Sequence, residues 1–193
     1  MKNLFKPLAL AALAVSLLQG CGAAIVGGAV VGASMVHDRR DSGTVLIDEK
    51  IELNTYARIT DDPTLAEHSS IAVTSYNRVA LLTGQADRPE VKGRIAAITA
   101  KVKDVKRVVD EVEVAPRASV QSEGHDTYIT SKVKLALFDL NIEGFDPSRV
   151  KVVTEKDVVY LMGILSPQEA DAVVEKVRYV NGVKRVVKIF EQI

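Results

Sequence analysis

Several things that a chain of 193 residues usually carries are scarce here: it has one cysteine, three histidines and no surplus of either charge. Each scarcity removes a class of explanation. The lone cysteine, Cys21, cannot close an intramolecular disulfide. His37, His68 and His125 are scattered, and no two stand at metal-ligand spacing. There is no glycine-rich phosphate loop, no Gly-x-Ser-x-Gly and no Cys/His arrangement, so no enzyme activity, cofactor or metal is expected. Lys+Arg and Asp+Glu are balanced at 25 each, and loss of Lys2 and Lys6 with a leader would leave 23 basic residues. That balance gives no support to a nucleic-acid partner. Long apolar runs are missing too. Residues 8–18 are too short to span a bilayer, and residues 22–36 number only 15 with four glycines.

The front of the chain has the layout of an export signal: Lys2 and Lys6, then the apolar run, then small or polar residues. It ends in Leu18-Gln19-Gly20-Cys21, which resembles the lipobox of bacterial lipoproteins, where the cysteine is lipidated on its sulfur and becomes the mature N-terminus. The other reading of Cys21 is an unpaired thiol in a secreted protein. Under the lipoprotein reading residues 1–20 are a signal peptide and 21–46 a lipidated tether, held stably because two or more acyl chains anchor where one does not. Gly22 stands where aspartate would otherwise follow the cysteine. By resemblance to lipoproteins of Gram-negative bacteria, this implies sorting to the outer membrane with the domains facing the periplasm. The charged cluster Asp38, Arg39, Arg40 and Asp41 is expected to carry the tether off into solvent.

The rest of the chain says the same thing twice. Residues 79–84 read Val-Ala-Leu-Leu-Thr-Gly and residues 158–163 read Val-Val-Tyr-Leu-Met-Gly. Each is the composition of a buried strand, here expected to end at a turn on its glycine, and each follows a polar turn, so a hairpin leads into it. Val105-Lys106-Arg107-Val108-Val109 returns as Val183-Lys184-Arg185-Val186-Val187, and Asp48 and Ile51 return as Asp126 and Ile129, all displaced by 78 positions. The glycines are displaced by 79, so one residue has been inserted between matches. Two copies of a unit of about 70 residues are a duplicated domain rather than a solenoid. The expected domains are 47–114 and 126–193, joined by a polar linker, 115–125.

Both copies read as helix, strand, strand, helix, strand. In the first, a helix opens at Asp48 and ends before Asp61-Asp62-Pro63, and Pro89 opens the second helix. In the second copy Ser166-Pro167-Gln168-Glu169 has the form of a capping box with proline at the first helical position, and Asn181-Gly182 stops that helix. Units this small bury modest cores, so the two domains are expected to lean on each other. The pairs Lys106-Arg107 and Lys184-Arg185 read as exposed strand charges.

This order, with the glycine-closed strand in both copies, resembles the BON domain, and the resemblance runs from Leu18-Gln19-Gly20-Cys21 to Gly182-Val183-Lys184-Arg185-Val186. It implies an α+β fold of two small BON domains, each a three-stranded mixed sheet packed against two helices. Two such domains behind a lipobox further imply a non-enzymatic outer-membrane lipoprotein that supports envelope integrity, binds anionic phospholipid (phosphatidylglycerol, cardiolipin) through its second domain, and collects at the division site.

The sequence supplies a surface for such a partner. On a wheel of about 100° per residue, Ile129, Val133, Ala136, Leu137 and Leu140 form the core stripe of the helix that opens the second domain. Tyr128, Leu135 and Phe138 lie opposite, with Ser131 between them and Lys132 and Lys134 flanking. The aligned helix of the first copy offers Lys50, Ala57 and Thr60 at the three apolar positions. Aromatic rings with lysines suit a phospholipid headgroup layer. Two other occupants stay open: the stripe packs on the first domain or linker, or it docks an envelope protein such as an assembly or peptidoglycan-remodelling machine.

Overall fold

The computed structural model describes residues 38–116 and 121–193; Cys21, the signal peptide, the tether as far as residue 37 and linker residues 117–120 lie outside them. The first helix, α1 (Ser42–Thr60), starts earlier than the expected Asp48, because Asp41 caps it by accepting the Thr44 N–H at 2.9 Å. Asp62 then caps a short helix, α2 (Pro63–His68), an element that the repeat comparison omits. Strands β1 (Ser69–Tyr76) and β2 (Val79–Ala86) form the hairpin, α3 (Pro89–Ala100) follows, and β3 (Arg107–Asp110) and β4 (Glu113–Val114) both run parallel to β2. The closing strand is broken between these two pieces, where Val112 turns into the core and its N–H is taken by Asp110 Oδ1 at 3.1 Å.

The second domain repeats the plan with α4 (Gln121–Phe138), a 3₁₀ turn (Pro147–Arg149), β5 (Lys151–Glu155), β6 (Val158–Leu165), α5 (Pro167–Val177) and β7 (Arg185–Gln192). Helix α4 begins inside the stretch expected to be linker. Strand β6 is central, antiparallel to β5 and parallel to β7. The α+β architecture of two small mixed sheets is as expected. The inserted residue is visible in the register: Val79 pairs with Arg107, 28 positions on, whereas Val158 pairs with Arg185, 27 positions on.

Alternation along the central strands explains how the domains meet. In β2, Leu82 and Ala86 face a core with Ile59, Leu65, Val91 and Ile95 from the helices of their own domain. In β6, Val159, Leu161 and Leu165 do the same with Ile129, Val133, Val173 and Val177. The odd partners, Val79 and Leu81, meet Tyr160, Met162 and Ile189 across a third core shared by the two domains. Each sheet therefore covers its own helices with one face and the other sheet with the second, and the helices form the outer layers. Burial in this seam pushes the Tyr76 and Tyr160 phenols up to about 12, so both stay neutral. Polar ties border it: Gln85 Nε2 donates to Glu155 at 2.6 Å, Asn77 Nδ2 to Glu191 at 2.9 Å, and Arg185 reaches Glu111 at 3.3 Å. Both domains fall in one compact unit, Met35–Ile193.

Two expectations are corrected. Gly84 and Gly163 do not end their strands; β2 and β6 continue to Ala86 and Leu165. The glycines are needed because a neighbouring carbonyl crowds them: a Cβ at Gly84 would come within 2.1 Å of the Ser70 oxygen, and one at Gly163 within 2.8 Å of the Arg149 oxygen. Nor do Arg39 and Arg40 step off into solvent. Arg39 grips Glu169 with two hydrogen bonds, 2.7 and 2.8 Å, and donates to the Ile164 carbonyl at 2.8 Å. Arg40 bonds Asp38 and Asp48 and lies over the Tyr76 ring, 3.9 Å from its centroid. One arginine ties to the second domain and the next to the first, so the pair straps the seam.

Glu169 also closes the capping box, accepting the Ser166 N–H at 2.7 Å while the Ser166 hydroxyl accepts its own N–H. The bidentate bond from Arg39 holds its pKa at about 2, down from 4.5. A carboxylate depressed in the folded state contributes stability that is complete above its unfolded pKa and disappears as pH falls through the folded one. The melting temperature is therefore expected to decline between about pH 4.5 and pH 2. Glu169→Gln should lower it at neutral pH and flatten the acid limb; an acid limb identical to wild type in calorimetric scans across that range would refute this assignment.

Candidate functional site

Helix α4 owes its position to three residues on one face. Ile129, Val133 and Leu137 are almost wholly buried against the second sheet and α5. This fixes what points away. Tyr128, Leu135 and Phe138 are 60%, 68% and 72% exposed, so the first domain does not bury them. The occupant read as self-packing on the first domain is thus not seen among the described residues.

The polar members of the predicted set behave differently from one another. Lys134 is exposed and makes no ion pair among the described residues. Lys132 is half-buried; its ammonium donates to the Asn181 carbonyl and lies 5.1 Å from the Tyr128 ring centroid. The Ser131 hydroxyl donates back to the Thr127 carbonyl at 3.0 Å, so its proton is committed to its own helix. The face consists of three apolar side chains, one cation with no ion pair among the described residues and one cation that braces the tyrosine.

Sequence reasoning missed two neighbours. Tyr179 is 72% exposed on the turn after α5, two residues before the Asn181 that receives Lys132, and Arg178 lies over its ring at 5.1 Å. An aromatic just past a helix end beside Asn-Gly was the available signal. The second omission is in α1, where Leu46, Leu53 and Tyr56 are also exposed. Their spacing, i, i+7, i+10, is that of Tyr128, Leu135 and Phe138. The contrast between the two helices is therefore one of charge, not of apolar content. Glu49 and Glu52 lie beside the α1 residues, whereas residues 127–138 of α4 contain two lysines and no acid.

The conserved-looking aspartates of the repeat sit at the hairpins. Asp48 accepts the Asn77 and Arg78 N–H groups at 2.8 and 2.7 Å, and Asp126 accepts those of Lys156 and Asp157 at 2.9 and 3.0 Å. Asp126 does not cap the helix; it is buried within α4 and holds a turn. His125 pairs with Asp157 at 3.1 Å beside it. The basic strand residues are engaged as well, Lys184 with Asp157 at 2.7 Å. Among the described residues no cluster of three His, Cys, Asp or Glu could hold a metal, and no helix is long and apolar enough to cross a membrane.

Comparison with known proteins bears on this arrangement. The sequence model of the BON domain matches residues 47–116 and 125–192. The chain is 33% identical over 187 residues to the "Outer membrane lipoprotein DolP" of Haemophilus influenzae, covering 96% of this chain and 95% of that one. It is 33% identical over 156 residues to the "21 kDa hemolysin" of Actinobacillus pleuropneumoniae, covering 81% and 79%. Among solved structures, the C-terminal domain of CdsD from the type III secretion system of Chlamydia trachomatis covers 76% of this chain and 67% of its own at 13% identity. The TM-score is 0.30, a likeness too slight to bear on fold or function.

Proposed function

The chain belongs to the BON-domain family, and from that premise we propose that it is an outer-membrane lipoprotein, acylated at Cys21, that lays α4 of its second domain on anionic phospholipid. The observation that carries the reading is the exposed triplet Tyr128, Leu135 and Phe138 on a helix face with lysines and no acid. Two aromatic rings and a leucine enter the headgroup layer, where amphipathic rings are at home. Lys134 adds about 1 kcal/mol of attraction to an anionic surface. That is weak by itself, so the acyl chains supply residence and the helix supplies orientation and lipid preference. Its role is binding rather than catalysis: it sustains envelope integrity in the periplasm of a Gram-negative bacterium, at the division site, where anionic lipid such as cardiolipin and phosphatidylglycerol would be its ligand.

With Cys21 replaced and the leader removed, the protein should co-sediment with phosphatidylglycerol vesicles and not with phosphatidylcholine vesicles. Tyr128→Glu should reduce that binding at least ~10-fold, since it exchanges an apolar contact worth more than 1.4 kcal/mol for a repelled charge. Tyr179→Ser should weaken it by a smaller factor. Equal sedimentation of wild type and Tyr128→Glu would remove α4 from the contact.

A second reading rests on α1. Leu46, Leu53 and Tyr56 stand exposed on α1, a helix of the first domain, beside Glu49 and Glu52. Those acids oppose an anionic bilayer, and an envelope protein is the occupant that suits them, which keeps the adaptor role as the alternative.

A further inference from the structure

At the C-terminal end of α4 the surface opens into a pocket of about 330 Å³. Its walls come from three parts of the chain. Arg40 of the strap and Tyr76 of the first domain form one side, Lys134 and Phe138 of α4 the other, and Ser148 and Lys151 the end. The floor is apolar, from Leu137 and Val152. Three cations and no carboxylate line this space. Two of these cations have acids behind them, outside the lining: Arg40 is held by Asp38 and Asp48, and Lys151 pairs loosely with Glu52 at 3.5 Å, while Asp139 is turned toward Lys176 at 3.9 Å. Lys134 has no partner among the described residues.

We propose that this pocket is a headgroup site for a single anionic glycerophospholipid, seating the phosphate between Lys134 and Lys151 and the first carbons of its chains on Phe138. The inference rests on the reading of α4 as the membrane-facing helix, and it adds a stoichiometric site to what would otherwise be a diffuse surface. Three observations converge on this occupant. Concave cationic walls of low dielectric focus attraction for an anion more than a flat lysine patch does. The volume lies at the small end of ligand pockets, roughly 300–1,000 Å³, so it admits a phosphate with a glycerol-sized group and excludes a whole diacyl lipid. Phe138 and Lys134 belong both to the pocket rim and to the exposed face, so a lipid whose chains remain in the bilayer under Tyr128 and Leu135 has its headgroup beside the opening.

The site also depends on the seam. Arg40 and Tyr76 reach it only because the strap is docked and the two sheets are packed, so the pocket is complete only in the assembled two-domain protein.

The test uses the acylated full chain in phosphatidylcholine vesicles doped with phosphatidylglycerol carrying a photoreactive group on its headgroup glycerol. A second preparation carries the reactive group on the first carbons of an acyl chain, just below the headgroup. The headgroup probe is expected to label peptides containing Lys134 and Lys151, and Ser148→Trp, which fills the pocket without removing charge, is expected to cut that labelling at least ~10-fold, the equivalent of 1.4 kcal/mol. The acyl probe should label around Tyr128 equally in both proteins. Headgroup labelling unaffected by Ser148→Trp, or equal with a phosphatidylcholine probe, overturns the pocket while leaving α4 on the membrane. Loss of label when soluble glycerol 3-phosphate is present at a concentration well below that of the accessible phosphatidylglycerol overturns the lipid assignment in favour of a free anion. Failure of the acyl probe to reach α4 at all would instead count against the membrane-facing helix.

Discussion

Gly84→Ala is expected to unfold the first domain at temperatures where the wild type is stable, at a cost of about 4 kcal/mol or more. Two penalties combine. The backbone at Gly84 has φ +107°, a region that costs a side-chain-bearing residue on the order of 1–3 kcal/mol. The new methyl would also stand 2.1 Å from the Ser70 carbonyl oxygen, on the strand that pairs with β2 along its whole length. That oxygen cannot retreat without opening the ladder. Gly163→Ala should be milder, about 1–3 kcal/mol, since its contact is 2.8 Å and its φ is ordinary. Gly93→Ala, in the exposed middle of α3 with nothing within 4 Å, should stabilise by about 0.5–1 kcal/mol. Urea titrations of the three variants provide the comparison. If Gly84→Ala were no worse than Gly163→Ala, strand crowding would not be the reason for the glycine.

Asp48→Ala is the second large effect, expected at about 3–5 kcal/mol. Both hairpins turn through two residues in the left-handed region: Asn77 and Arg78 at φ 49° and 69°, Lys156 and Asp157 at 49° and 66°. Such turns favour glycine, and none is present, so each relies on a buried aspartate to take its N–H groups. Asp48 additionally accepts the Ser75 hydroxyl at 2.7 Å and the half-enclosed Arg40 guanidinium at 2.8 Å. Removing it leaves the Ser75 hydroxyl without its acceptor and Arg40 with Asp38 alone. Among the described residues Asp126 accepts from the turn alone, and its alanine variant should lose about 1–3 kcal/mol. Combining Asp48→Ala with Arg40→Met should cost less than the sum of the two single variants, because both remove the same ion pair. A double variant as unstable as the sum of the singles in chemical denaturation would contradict the coupling.

The sequence made the order of elements legible because it states that order twice, and because local chemistry marks it: the Ser166 capping box, proline at the start of α3 and α5, and polar turns before β2 and β6. It also exposed the α4 face, since a helical period needs only α4 itself. What it did not reveal depends on pairs far apart in the chain. Glu169 was readable as the end of a capping box, but its bond to Arg39, 130 positions away, exists only after the sheets pack. Asp48 and Asp126 were noticed as matching letters, and their task became visible only beside hairpins about thirty residues on. The glycines were read from their position at the end of an apolar run, and a crowding carbonyl on another strand has no local signature. Leu46, Leu53 and Tyr56 were overlooked for a different reason: the comparison asked only about positions aligned with Tyr128, Leu135 and Phe138, and the matching pattern in α1 is displaced by one helical turn.

The strap has a mechanical consequence. Residues 39 and 40 are firmly held at the start of the described residues, so tension arriving there from residues ahead of them is delivered to Glu169 and Asp48 before it loads α1 or either sheet. The two arginines divide the load between the domains. A force that detached Arg39 alone would leave Arg40 in place on Asp38, Asp48 and Tyr76, so the second domain would be released from the strap first while the first domain stayed coupled to it.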